Sequence, residues 1–504
     1  MTIATALLAL RFREPLGADE AYLWYGTLRL LEGRVPHRDF KSYEPGRYVW
    51  CAGFAALFGA GLGVLRVATH AFFALGLFAA LQALRLVGLG WMEASLGAVL
   101  LATWAYPAYK LYEPALWMFG FLSATCLILN PSATSAVAAG ATIGGALFFG
   151  FNYFLYLGAS HLLLWLVPTL NPSLDWALLR WAAFGLLLGA APFGLMCGVP
   201  GFARAFAERR FWSVMARGST NLPLPIPWPW RLAPQDARAF TRPARLTFQF
   251  LFLLLPLLPA AVMLVVFVIA AGSPRDTREW AGVLAATALG ATGWHHAFSR
   301  ADVVHLAQSM TPWLLLVTTL AAARPWSQFV AMGILVLASL ATTWPLGIVA
   351  QRARCPGDFD RLRIGGIWIW MARSDCSLIS LATELGGREL GQGGSLLALP
   401  ILTLLYPILG KIAPVYDIFC VYPAPDLAQE RMLASIAAND VRLAAIWNGA
   451  LDGREDLRFS ATHPRVWEHL HEAMESVVIP GPNWDVQFFR ARGAPRAAED
   501  LSPR

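Results

Sequence analysis

Charge is what this sequence has least of. Only 14% of its 504 residues are Asp, Glu, Lys or Arg, against roughly a quarter in soluble globular chains. With 57% hydrophobic residues and a mean hydropathy of +0.52, that shortage excludes a soluble cytosolic enzyme and an intrinsically disordered chain. Cysteine is scarce too. Six are scattered with no CxxC pair, which argues against a disulfide-stapled scaffold, a zinc site and a redox motif. Cys355, Cys376 and Cys420 pair only if their region lies in an oxidising compartment, and free thiols are the expectation. Long basic runs and aromatic RNA-binding signatures are missing, so no nucleic-acid partner is expected. The pI near 9.2 is assigned to basic residues at lipid head groups. Internal repeats and low-complexity segments are not apparent.

What is present is a series of apolar runs near the length of about 20 residues that a bilayer-crossing helix needs. Uncharged stretches lie at 67–84, 94–109, 181–203, 246–274, 280–299, 303–323 and 325–351. The 61 residues from 114 to 174 hold no charged side chain and supply three spans, with breaks near Asn130-Pro131 and Asn152. Met1–Leu10 is apolar but short; it is read as a first span rather than a signal peptide, because no small-residue cleavage site follows. The expected fold is a polytopic α-helical membrane protein of about ten to eleven spans.

The charges that do occur divide the chain. Residues 351–504 carry 34 of the 71 charged side chains, so we expect a membrane domain over 1–350 and a soluble α/β domain over 351–504. Asp426–Asn439 and His463–Ser476 read as helices in that tail, Val441–Trp447 as a strand, and Leu396–Leu405 as a buried strand and turn. Arg85, Arg180, Arg275, Arg278 and Arg324 mark the cytoplasmic side in short loops. The first outer loop 14–63, the long loop 199–245 and the tail then all face the opposite, extracytoplasmic side. Within 199–245, Arg204–Arg217 reads as a surface helix on anionic lipid, and the Pro/Trp-rich Leu222–Trp230 is barred from regular helix.

The acids are concentrated in one place. Six of the fourteen in the first 350 residues lie between positions 14 and 44. The segment GADEAYLWYGTLRLLEGRVPHRDFKSYEPGRYVW opens an amphipathic helix, Ala21–Leu31, on Asp19 and Glu20, turns at Gly and Pro, and starts a second helix near Arg47–Phe58. Carboxylates at a helix start are favoured by its dipole, which by itself accounts for Asp19. A further reading comes from the whole segment. It resembles the first extracytoplasmic loop of the GT-C glycosyltransferases, related to protein O-mannosyltransferases and aminoarabinose transferases. Asp19-Glu20 match an acidic pair, Glu32-Gly33 through Pro36-His37-Arg38-Asp39-Phe40 match the middle, and Tyr43-Glu44-Pro45-Gly46 sit at the turn. The similarity spans about forty residues; in the membrane spans it is hydropathic only.

That resemblance implies an inverting transferase that moves a sugar from a polyprenyl-phosphate carrier to a hydroxyl on a lipid, glycan or protein acceptor. It would work in the cell envelope, from a bacterial inner membrane with the active site and tail facing the periplasm. Asp19 is expected as general base, with Glu20 beside it and Glu113, in the next outer loop, as a second catalytic acid. Where the aminoarabinose type has Lys-Pro-Pro, this chain has Glu44-Pro45-Gly46, so the phosphate contact moves to Arg47, Lys110, Arg300 or His305. Each of the basic candidates has a plainer reading as a head-group anchor. Tyr22, Glu44, Asp302 and His296 are expected to line the substrate pocket. In HHAFSRADVVH, residues 295–305, Asp302 and His305 share a helix face; the plainer reading is a helix cap. A divalent cation, Mg or Mn, held by Asp19, Glu20 and Glu113 is left open, and HExxH-type spacing does not occur. A transporter or flippase of a lipid-linked saccharide is the alternative, but it has no need of acids gathered in one outer loop.

Overall fold

The structure is a computed structural model. It describes residues 9, 12–105, 107, 109–166, 175–215, 222–228, 230, 246–247, 249–254, 257, 277–321, 328–391, 393–477 and 485–492. The main helices in chain order begin with α1 (Ala18–Leu31), α2 (Pro45–Phe58), α3 (Leu62–Leu86), α4 (Trp91–Thr103) and α5 (Tyr112–Leu129). They continue with α6 (Ala133–Phe149), α7 (Phe151–Leu166), α8 (Leu179–Cys197), α9 (Phe202–Met215) and α10 (Thr277–Ser299). The chain then forms α11 (Val303–Ser309), α12 (Thr311–Ala321), α13 (Gln328–Thr343) and α14 (Ile348–Arg354). The remainder alternates: β1 (Phe359–Ile364), β2 (Ile367–Ala372), α15 (Arg373–Glu389), β3 (Ser395–Leu399), α16 (Asp426–Ala438), β4 (Val441–Trp447), α17 (Pro464–Ala473), β5 (Met474–Val477) and β6 (Val486–Ala491). Contacts divide the chain into two units. One holds Met1–Glu14, Glu44–Trp50 and Arg66–Arg354; the other holds Pro15–Tyr43, Cys51–Leu65 and Cys355–Arg504.

The first unit is a bundle of apolar helices. Among the described residues, Leu62–Leu86, Tyr112–Leu129 and Trp176–Cys197 are long and apolar enough to cross a membrane. Two bent pairs, Val303–Ser309 with Thr311–Leu320 (43°) and Met332–Leu346 with Ile348–Arg354 (66°), reach that length as broken spans. That gives fewer candidate spans than the ten to eleven expected, for visible reasons. Helix α4 stops at Thr103 instead of running to 109. Gly150 ends α6 two residues before the expected break at Asn152. All of 258–276 and most of Met1–Leu10 lie outside the described residues. At the other break, Ser132 caps α6 in a capping box with Ser135. Helix α8 turns Phe184, Leu187, Leu188 and Leu195 outward. An apolar face of that kind is an aggregation surface in water and an ordinary one in lipid.

Helices α6 and α8 meet through glycines. A Cβ built on Gly140 would fall on the Ala182 carbonyl, and one on Gly185 on the Val137 carbonyl; Gly144 and Gly189 repeat the pattern one turn on. This is a paired small-xxx-small contact, in which missing side chains let two backbones touch.

The second unit is α/β. Strands pair in the order β3-β4-β6-β5, parallel between β3 and β4 and antiparallel elsewhere. Its core is built on Leu396–Leu399, Leu443–Ile446, Phe488 and Phe489. Tyr22 and Tyr25 of α1 belong to that core as well. The loop segment is hydrogen-bonded into it: Ala413 N–H donates to Tyr25 Oη (3.2 Å), Thr403 Oγ1 to the Ala18 carbonyl (3.0 Å) and Tyr416 Oη to the His37 carbonyl (2.6 Å). Lys41 pairs with Asp417 at 2.6 Å. The β1–β2 hairpin turns on Gly365 and Gly366, both at positive φ, as a two-residue hairpin loop requires. The strand expected at Val441–Trp447 is present. The helix expected over His463–Ser476 ends at Ala473, because Met474–Val477 pairs with β6 as strand β5; pairing on a sheet edge overrides the local helical period.

Candidate functional site

In the second unit, α1 places the acidic pair in its first turn. Asp19 Oδ1 accepts a hydrogen bond from Tyr43 Oη. The Tyr43 ring meets Tyr22 edge-on at 5.2 Å, and Tyr22 rests on Phe419 at 5.4 Å. Glu20 is buried. The HRDF stretch is structural: Asp39 accepts from Arg38 Nε and from Val35 N–H, both at 2.8 Å. The Arg38 hydrogen bond holds the Asp39 carboxyl below its usual range. His37 has φ 65°, a conformation that favours glycine. It is fixed there by its N–H donating to Ser42 Oγ at 2.9 Å.

In the first unit, the start of α2 is locked onto the junction between α6 and α7. Gly46 lies directly on the Phe148 carbonyl, where a side chain would collide. Arg47 Nε donates to the Phe149 carbonyl at 2.8 Å, and its Nη1 to Glu113 Oε1 at 2.9 Å. Both side chains of this ion pair are nearly inaccessible, 8% and 5% exposed. Glu113 Oε2 has no hydrogen-bond partner among the described residues. Glu44 is buried and forms an ion pair with Arg210 of α9. The Arg210 guanidinium lies over Phe151 at 5.0 Å and Phe206 at 5.7 Å. Burial brings it down to about 10, which leaves it charged at neutral pH. Helix α9 is therefore more than a surface helix on lipid.

The 295–305 constellation is also assembled. Asp302 is the N-cap of α11, accepting from His305 N–H at 2.8 Å, and it also pairs with the His305 side chain three residues on. His305 Nδ1 lies 2.8 Å from the same carboxylate oxygen. Arg300 Nε donates to Asp302 Oδ2 at 2.8 Å and Nη1 to the Leu222 carbonyl at 3.1 Å. Burial opposes ionisation of Asp302, but the contacts of His305 and Arg300 outweigh it and bring the carboxyl down to about 2. His296 faces His305 with ring centres 5.1 Å apart and bonds Gln308 Oε1 through Nε2 at 2.8 Å. Tyr153 packs on His296 at 5.6 Å, and Trp117 stacks on Tyr156 at 5.9 Å.

The sequence-predicted residues thus gather as three groups: Asp19 with Tyr22, Arg47 with Glu113, and His296 with Arg300, Asp302 and His305. Lys110 is half-buried and lies over the Tyr109 ring at 5.8 Å. Sequence reasoning missed Gln308 and Arg66. Arg66 is 1% exposed and donates to the Phe12 carbonyl at 2.6 Å. A single arginine beside an apolar run was the available signal, since charge inside a span defaults to a functional or paired role. Among the described residues no three His, Cys, Asp or Glu side chains are grouped to hold a metal ion, so no step is assigned to Mg or Mn. The same unit contains an apolar cavity of about 290 Å³ lined by Leu100, Trp104, Leu251, Met310, Trp313 and Leu335.

No family model matches the chain, and no curated protein matches it. Solved structures do. ArnT from Cupriavidus metallidurans bound to undecaprenyl phosphate aligns over 97% of this chain and 96% of its own, at 13% identity and a TM-score of 0.57. The same protein in the apo state aligns over 97% of each chain at 12% identity and a TM-score of 0.47. At such identities the likeness speaks to fold, and the fold implied by the GT-C resemblance of the first loop is the one the chain has: over nearly its whole length it is similar to ArnT.

Proposed function

We propose that this protein is an inverting glycosyltransferase that takes a sugar from a polyprenyl-phosphate carrier and passes it to a hydroxyl acceptor at the outer face of the cytoplasmic membrane. The observation that carries this reading is the fold likeness to a polyprenyl-phosphate-bound ArnT across 97% of the chain. The motif of residues 19–46 supports it from the sequence.

In the proposed reaction the acceptor hydroxyl attacks the anomeric carbon as the bond to the lipid phosphate breaks. Asp19 takes the hydroxyl proton, and polyprenyl phosphate leaves as the anion. A hydroxyl is a poor nucleophile at neutral pH, so a carboxylate held in position by Tyr43 Oη lowers the barrier. The departing phosphate needs fixed cations, and the buried Arg47 and half-buried Arg210 are the candidates. The aromatic and imidazole surfaces of Tyr153, Tyr156 and His296 suit a sugar ring, and the apolar cavity suits a hydrocarbon chain. The domain division at residue 350 and the extracytoplasmic placement of the tail belong to the same proposal.

The test is transfer by purified protein in lipid, with radiolabelled polyprenyl-phosphate sugars and envelope extract as acceptor. Asp19→Asn keeps the shape and cannot take the proton, so label is expected to move with wild type and not with the variant. Full turnover by Asp19→Asn removes the base assignment. Carrier movement across the bilayer without transfer turns the reading to a flippase.

A further inference from the structure

Three buried charges, Glu44, Arg47 and Glu113, and the half-buried Arg210 stand around one short junction. Arg47 and Glu113 pair, Glu44 and Arg210 pair, and both pairs bear on residues 148–151, where α6 gives way to α7. Glu44 and Arg47 stand three residues apart at the start of α2. The set is electrically neutral. A phosphate that takes the Arg210 guanidinium must therefore displace the carboxylate already paired with it, because burying extra negative charge beside existing carboxylates is strongly unfavourable.

The two carboxylates are held differently. Glu113 sits within α5 and is bonded by an arginine whose Nε is itself fixed to a backbone carbonyl. Glu44 sits on the residue before α2, outside the helix. Its partner Arg210 is supported on two aromatic faces, which stabilise the cation without consuming its N–H donors. A guanidinium fork that accepts a carboxylate fits a phosphate equally well.

We propose that Glu44 is an internal counter-ion that occupies the phosphate position on Arg210 and is displaced when the anionic head of the lipid carrier binds. The proposal rests on the transferase reading for the identity of that carrier. The exchange makes the Glu44–Arg210 pair a gate on the anion site. The gate keeps the cation paired in the absence of carrier and lowers affinity for the phosphate product.

The test is equilibrium binding to purified protein in lipid nanodiscs, using undecaprenyl phosphate, the polyprenol of equal length and inorganic phosphate. Glu44→Gln is expected to bind undecaprenyl phosphate about tenfold tighter than wild type, a gain of about 1.4 kcal/mol, with polyprenol unchanged. Arg210→Gln is expected to bind the phosphate and the alcohol alike. Should Glu44→Gln not survive purification, Glu44→Asp carries the test, since it withdraws the carboxylate by one methylene and is expected to give a smaller gain in the same direction. A parallel gain with inorganic phosphate supports exchange at the anion alone; a gain confined to the lipid supports exchange at its head group. Unchanged or weaker binding of undecaprenyl phosphate by Glu44→Gln, a gain shared by polyprenol, or an intact phosphate preference in Arg210→Gln each overturns the proposal. Wild type that binds carrier but transfers no sugar removes the transferase reading and leaves the exchange standing. Transfer by wild type with unaltered affinity in Glu44→Gln does the reverse.

Discussion

At the scale of single residues, the buried Arg47–Glu113 pair is the feature most exposed to mutation. Removing one partner strands the other charge away from water, which costs about 3–5 kcal/mol, whereas replacing both with apolar residues of similar volume is often neutral. Glu113→Ala is therefore expected to lower the unfolding temperature sharply in detergent, and Arg47→Met with Glu113→Leu to recover most of it. Equal losses in the single and double variants would show that packing, not charge, is at stake. Asp302 gives a pH signature. Its carboxyl is brought from 3.8 to about 2 in the folded protein, so its contribution to stability is fully present above the unfolded value and is lost as pH falls from about 4 toward 2. Melting curves across that window are expected to fall more steeply for wild type than for Asp302→Asn. Parallel curves would remove the assignment. Much of this chemistry was legible in the sequence, because Glu113, Arg300, Asp302 and His305 are charged or titratable residues in an apolar chain. Their partners were not. Nothing in the sequence tied Arg210 to Glu44, 166 positions away, or Tyr43 to Asp19.

At the scale of elements, the sequence located most helices from hydropathy, yet it did not anticipate how α6 and α8 approach. Gly140, Gly144, Gly185 and Gly189 read as ordinary small residues in apolar runs until their carbonyl neighbours are seen. Gly140→Leu forces a side chain onto the Ala182 carbonyl, and overpacking of this kind costs about 1–3 kcal/mol or more. The expected result is a lower melting temperature, while Gly145→Ala, at a position with open space, is expected to leave it unchanged. Equal behaviour of the two variants would show that the helices separate without loss. The misread end of α17 has the opposite lesson. Residues 474–476 read as the end of a helix in sequence, but a strand edge at β6 was available to pair with Met474–Val477, and long-range hydrogen bonding decided the outcome.

At the scale of the whole molecule, the loop that carries the acidic pair and the C-terminal region share one core. Residues 355–504 expressed alone lack Tyr22 and Tyr25, which are 3% exposed in that core, and lack the hydrogen bonds to Ala18 and His37. They are expected to show a broad thermal transition and to bind a hydrophobic dye, as incompletely packed domains do. A sharp, cooperative melt without dye binding would mean that the tail is self-sufficient.

Composition and periodicity by themselves determined that the chain forms apolar helices followed by an α/β tail, because hydropathy and charge are local properties that any arrangement must satisfy. The resemblance of residues 19–46 to the first loop of the GT-C glycosyltransferases pointed to the fold. Only the tertiary structure decided that the first loop completes the core of the tail, that Gly46 is required by the Phe148 carbonyl, and that Glu44 answers Arg210. Each of these depends on residues far apart in the chain meeting in a buried place, and a meeting of that kind leaves no period or motif in the sequence to read.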